Sequence, residues 1–234
     1  MYRRNFLKAS MVTPFIFSGL NLSALEVVNK EPRVINAGVG GNTTADMLAR
    51  IDKNCLAHRP DLTVFMAGTN DMNSKKYIPL PQYEKNMRSI IGKILDVGSH
   101  IILMPILPAY EPYLYTRHDK SFYEPEGYVG RKNEMNKLIR NLASEYQLTF
   151  LDMHHIFEMI GNIGEEENSL IQNEANSGKT DGLHPTNNGY RLMAVAIYEC
   201  IIQNNLPHER VVCFGDSITV GAYPGYLRKL LSES

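Results

Sequence analysis

Short apolar runs alternate with helix-period segments along most of this chain, and that alternation restricts the fold more than any other feature. Asp61-Leu-Thr-Val-Phe-Met-Ala67 is almost unbroken apolar sequence. A short run without polar alternation reads as a strand covered on both faces. Residues 33–37, 100–104, 148–152 and 210–214 read as strands too. Helical spacing fills the gaps at residues 43–53, 82–97, 129–146 and 188–203, with a short closing helix at 225–231. Met47, Leu48 and Ile51 share one helix face, as do Met87, Ile90, Ile91, Ile94 and Leu95, and Met193, Ile197 and Ile201. Strands separated by helices predict an α/β three-layer sandwich around a five-stranded parallel sheet. Residues 157–180 are polar and rich in Gly, Asn and Glu, and read as a long loop or weak helix.

Other features bound the function. Lys and Arg total 24 and Asp and Glu 25, a formal net charge of −1. This balance gives no basic excess for a nucleic-acid partner. Cys55, Cys200 and Cys213 lack any metal-ligand spacing, and no spacing supports a disulfide. Cys213 lies in an apolar run and reads as buried. The first 24 residues read as an export signal. Arg3-Arg4-Asn-Phe6-Leu7-Lys8 precedes an apolar stretch from Met11 to Ala24, and the pattern resembles a bacterial twin-arginine leader. The alternative is an amphipathic first helix of a cytoplasmic protein. The stretch is too short and too polar for a membrane span. Residues 25–234 then form one domain of about 200 residues.

The chemistry gathers where the strands end. In open parallel sheets, sites form beyond the carboxyl ends of strands. Here those ends carry Gly38-Val-Gly-Gly41, Gly68-Thr-Asn70-Asp71, the tyrosine-rich segment 109–128 and Gly215-Asp216-Ser217. Ser217 follows a strand and opens a helix, which presents its hydroxyl at the sheet edge. The bland reading of such a serine is a helix cap. Asp181-Gly-Leu-His184 offers a carboxylate and an imidazole on one tight turn. A serine becomes a nucleophile only when a base takes its proton, so these residues supply the parts of a catalytic triad. His118, His154 and His155 are the competing imidazoles, and the last two read as structural or solvent-facing. Gly38 to Gly41 resembles an anion-cradling loop, but it fits neither a Walker pattern nor GxGxxG.

Four segments together resemble the sequence blocks of the SGNH hydrolases, the GDSL-type esterases and lipases. They are Phe214-Gly-Asp-Ser-Ile-Thr219, Asn36-Ala-Gly-Val-Gly-Gly-Asn-Thr43, Gly68-Thr-Asn-Asp71 and Asp181-Gly-Leu-His-Pro185. The resemblance implies a flavodoxin-like sheet and a serine esterase working through an acyl-enzyme. It casts Ser217 as nucleophile, His184 as general base and Asp181 as its orienting carboxylate. It puts the oxyanion hole at the N–H groups of Ser217 and Gly41 and the side-chain amide of Asn70. Asp216 and Asp71 would hold loops in place. Tyr110, Tyr113 and Tyr115 would line the substrate side, or simply pack as a lid. The family often has Ser where this chain has Gly40.

The block order departs from the family, because the serine block comes last. Joining residue 231 to residue 31 restores the usual order, which implies a circular permutation. The resemblance implies no metal or cofactor. It points to carbohydrate O-acetyl groups or small acyl esters as substrates. A lysophospholipase or thioesterase is the nearest alternative, and a non-catalytic carbohydrate-binding protein on the same fold is the alternative of another class. A flavodoxin-like nucleotide-binding module fits the glycine loop poorly.

Overall fold

The computed structural model describes residues 33–233; the expected export signal lies outside the described residues. In chain order the elements are β1 (Arg33–Gly38), α1 (Thr44–Asn54), β2 (Leu62–Met66), α2 (Leu80–Asp96) and β3 (His100–Met104). Next come the short α3 (Glu111–Leu114), α4 (Gly127–Glu145), β4 (Thr149–Phe150), α5 (Met153–Ile160), α6 (Glu174–Ser177) and α7 (Asn187–Gln203). The chain closes with β5 (Arg210–Gly215), α8 (Ser217–Val220) and α9 (Tyr223–Ser232).

The five strands form one sheet in the order β1-β5-β2-β3-β4, and every pairing is parallel. β5 therefore lies inside the sheet, with Val211 paired to Val34 on one side and Leu62 on the other. Successive side chains of a strand point to opposite faces. In β2, Leu62, Val64 and Met66 join one buried cluster, while Phe65 joins the other. The first cluster is completed by Met193, Ile197 and Ile201 of α7, Met153 and Phe157 of α5 and Leu227 of α9. The second takes Met47 and Ile51 of α1, Met87, Ile90, Ile91 and Ile94 of α2, and Ile139 and Leu142 of α4. Helices thus cover both faces, giving the expected three-layer α/β sandwich. Burying one Leu, Ile or Met side chain contributes roughly 1.5–3 kcal/mol, so both faces stabilise the sheet.

One strand is shorter than the sequence reading, and one helix begins where the sequence reading makes no assignment. The fourth strand pairs only at Thr149 and Phe150, because β4 is an edge strand held by β3 alone. The segment after it is a helix, α5. Asp152 caps it by accepting from the His155 N–H at 3.2 Å, and Met153 and Phe157 are its buried residues. The three cysteines are all buried and unpaired. Among the described residues no helix is long and apolar enough to cross a membrane.

Candidate active site

The strand ends bring the sequence-selected residues together. Asp216 is the N-cap of α8, and its Oδ1 accepts from the Ile218 N–H at 3.0 Å. Ser217 is the first residue of that helix, so its N–H is one of the donors a helix start leaves unpaired. His184 Nε2 lies 2.9 Å from Ser217 Oγ. His184 Nδ1 lies 2.9 Å from Asp181 Oδ2 and 3.0 Å from Oδ1. The same carboxylate accepts from the backbone N–H groups of Leu183 and His184 at 2.9 and 2.7 Å. Burial opposes ionisation of Asp181, yet its bonds to the imidazole and to these N–H groups hold it well below the usual carboxylate range. An ionised Asp181 fixes the ring with Nδ1 as donor, which leaves Nε2 free to accept the serine proton.

Gly182 makes the Asp-to-His turn possible. Its φ is +71°, and an added Cβ would lie 2.7 Å from the Tyr110 carbonyl oxygen. The Tyr110 N–H donates to the Gly182 carbonyl at 2.8 Å, so the tyrosine segment docks directly on this turn. Tyr110 and Tyr113 stack edge to face with centroids 5.0 Å apart, and the Tyr110 hydroxyl bonds Glu165 at 2.9 Å. Tyr115 goes elsewhere. Its hydroxyl donates to Glu111, and its ring packs 6.0 Å from that of Tyr123. Tyr115 thus belongs to the packing of residues 111–128 rather than to the surface beside the triad. Arg131 ties the same segment down, lying over the rings of Phe122, Tyr123 and Tyr77 at 4.7, 5.2 and 5.3 Å.

The glycine loop is fastened to the serine strand. The Val39 N–H donates to the Gly215 carbonyl at 3.1 Å. A Cβ on Gly38 would lie 2.4 Å from the Val220 nitrogen, so only glycine lets α8 approach here. A Cβ on Gly40 would meet open space, so the site tolerates either the glycine present or a serine. Among the described residues the Gly41 N–H has no hydrogen-bond partner. The Asn70 amide donates to the Asn42 carbonyl at 3.1 Å and to Asp216 Oδ2 at 3.2 Å. Asp71 is buried and binds Thr44, accepting from its N–H at 3.0 Å and from its hydroxyl. Both aspartates therefore hold loops, as expected from sequence.

Arg50 is a site residue that sequence reading missed. Its guanidinium donates to Asn42 Oδ1 at 2.5 Å, to the Ala37 carbonyl at 2.9 Å and to the Gly215 carbonyl at 2.8 Å. It also lies over the Phe214 ring at 4.6 Å. One planar fork thus joins the glycine loop to the strand that carries Ser217. Of the competing histidines, His154 binds the Ile106 carbonyl and Glu158, and His155 is exposed. His118 Nδ1 binds Ser74 Oγ at 3.0 Å. Among the described residues no three His, Cys, Asp or Glu side chains are grouped to hold a metal ion.

Comparison with known proteins identifies the family. The profile of the GDSL-like lipase/acylhydrolase family matches residues 21–192. An uncharacterized lipoprotein of Bacillus subtilis (strain 168), YqeF, is 28% identical over 71% of this chain and 72% of its own length. An acetylxylan esterase of Geobacillus stearothermophilus is 34% identical over 55% of this chain, and the match spans only 57% of that enzyme. The crystal structure of a lipase/acylhydrolase from Enterococcus faecalis shares the fold, with a TM-score of 0.53 and 20% identity over 72% of this chain and 74% of that one. The chain belongs to the GDSL-like lipase/acylhydrolase family, and it is an ester-hydrolysing enzyme.

Proposed function

We propose that the protein is a serine esterase that cleaves carboxylic esters through an acyl-enzyme, with O-acetyl groups on carbohydrate or other small acyl esters as substrates. The observation that carries this reading is the unbroken line from Asp181 through His184 to Ser217, with 2.9 Å at each step. Ser217 Oγ attacks the ester carbonyl while His184 Nε2 takes its proton. The imidazolium is stabilised by Asp181 and returns the proton to the leaving alcohol. Water activated by the same imidazole then releases the acid and frees Ser217.

The carbonyl oxygen becomes an anion in the tetrahedral intermediate. The unpaired N–H groups of Ser217 and Gly41 and the Asn70 amide are the donors for it. The developing charge competes with Asp216 for one Asn70 hydrogen, while the Asn42 carbonyl keeps the amide in place. The acetylxylan esterase match favours short acyl groups on a sugar. Export of the protein rests on the first 24 residues, and one relative is named as a lipoprotein.

We read the chain as a circular permutation of the family order. Counting from β5 as the first strand turns the sheet order β1-β5-β2-β3-β4 into 2-1-3-4-5, the flavodoxin-like order. The profile match ends at residue 192, before the serine strand. Arg228 of α9 donates to the Val34 carbonyl of β1 at 2.9 Å, so the last helix already lies against the first strand.

The test is hydrolysis of p-nitrophenyl esters from acetate to long acyl chains by wild type and Ser217→Ala. Turnover is expected to peak at short chains and to drop at least about a thousandfold in the variant. Retained turnover in Ser217→Ala contradicts the assignment, and a peak at long chains moves the substrate to a lysophospholipid or thioester.

A further inference from the structure

Two exposed cations flank the triad, and the triad chemistry does not use them. Lys76 Nζ donates to the Gly41 carbonyl at 2.6 Å, so its ammonium sits on the loop that supplies the oxyanion donor. Across the triad, Arg117 donates to the Asp181 carbonyl, and its second nitrogen lies 3.8 Å from Asp181 Oδ2. Arg117 is on the segment that docks on the Asp181–His184 turn, the side where the leaving alcohol takes its proton. The Ser74–His118 bond joins the two halves of this rim, bringing Lys75 beside them. Lys75, Lys76 and Arg117 are exposed.

Little acid answers these charges. Among the described residues neither Lys75 nor Lys76 has a carboxylate within ion-pair distance, and Arg117 meets only Asp181, whose charge already serves His184. Asp46 is the acid that acts on Lys76, from beyond contact, while its own carboxylate is bound to Thr43. Glu165 and Glu166 act on Tyr110, whose hydroxyl donates to Glu165, and neither is within ion-pair distance of Lys75, Lys76 or Arg117. A cleft lined by one sign of charge raises the local concentration of the opposite sign.

We propose that this cleft takes an ester whose alcohol part carries a carboxylate, held between Lys76 and Arg117, as in an O-acetylated acidic sugar. This rests on the esterase reading above and names its substrate class. The catalytic steps are unchanged: the oxyanion binds its three donors, and the substrate carboxylate meets the two cations at the rim. The same cations disfavour a basic alcohol part.

The test compares 4-acetoxybenzoate with its neutral methyl ester. The expected result is a kcat/KM ratio favouring the anion by about fivefold or more at low salt, as for partly exposed charge pairs. This preference should fade as the Debye length shrinks from ~30 Å to ~3 Å with added salt. Lys76→Gln and Arg117→Gln should each lower the ratio. The ratio is read because both side chains also brace the site and the absolute rates will fall. A wild-type ratio at or below unity, or one unmoved by both variants, overturns the proposal while leaving the esterase assignment standing. Calorimetry on Ser217→Ala reads recognition without turnover: glucuronate should bind more tightly than glucose, and equal binding or no binding of glucuronate overturns it.

Discussion

Asp216 shows how much one residue does beside Ser217. It caps α8, accepts from Asn70 and lies wholly inside the protein. Burial pushes its pKa up to about 6, against the pull of the Ile218 N–H and His184 and with the push of Asp71. Asp71 is also raised by burial to about 6. Each holds its proton more tightly in the folded chain than in the unfolded one. Their contribution to stability is therefore complete below the unfolded value of 3.8 and is lost as pH rises through about 6. The urea midpoint should fall across that window in the wild type. Asp216→Asn keeps an oxygen for the Ile218 N–H and removes one of the two titrations, so its midpoint should fall by roughly half as much. An identical slope in both proteins would show that Asp216 does not titrate there. Asp181 has the opposite sign, since its depressed pKa adds stability above the unfolded value that is lost only in stronger acid.

At the level of elements, Arg50 makes the clearest demand. It spans α1, the glycine loop and β5, and its partners are mostly backbone carbonyls 13 and 165 residues away. Lysine keeps the charge but cannot bridge three acceptors in one plane. Arg50→Lys should fold normally by circular dichroism and lose about tenfold to a hundredfold in kcat with little change in KM, because the glycine loop proposed to bind the oxyanion is no longer held against the Ser217 strand. Unchanged kcat would contradict that role. This residue was invisible in the sequence, where nothing in its neighbours marks a side chain that binds distant carbonyls. The Asp181–His184 pair was legible because both groups sit on one turn. The central strands and α2 and α7 were legible because continuous apolar runs and shared helix faces leave few readings. β4 was overextended because an edge strand makes half the pairings of a central one. The start of α5 has no assignment from sequence although Met153, Ile156 and Phe157 keep helical spacing, since His154 and His155 interrupt the apolar pattern, and its end falls in the stretch that reads as a long loop or weak helix. The tyrosine segment was legible in place but not in detail, because its packing depends on Arg131, which reaches Tyr77, Phe122 and Tyr123 only in the folded chain.

For the whole molecule, the unusual feature is that the last strand of the chain lies inside the sheet. β5 has β1 on one flank and β2 on the other, so the sheet's centre is incomplete until β5 is in place. α9 then packs on α7 and β1, which closes the tail over the beginning of the domain. The thiols reinforce a quiet interior: burial pushes Cys55 up to about 11 and Cys213 up to about 12, so neither is a ready nucleophile. The proposed nucleophile, Ser217, is contributed by the strand-to-helix turn after β5 to a histidine and an aspartate that precede it in sequence. The direct measurement is labelling with a serine-directed phosphonate, followed by peptide mass mapping. The account predicts a single adduct on Ser217, absent from His184→Ala. An adduct on another serine, or none on a protein that hydrolyses esters, would contradict it.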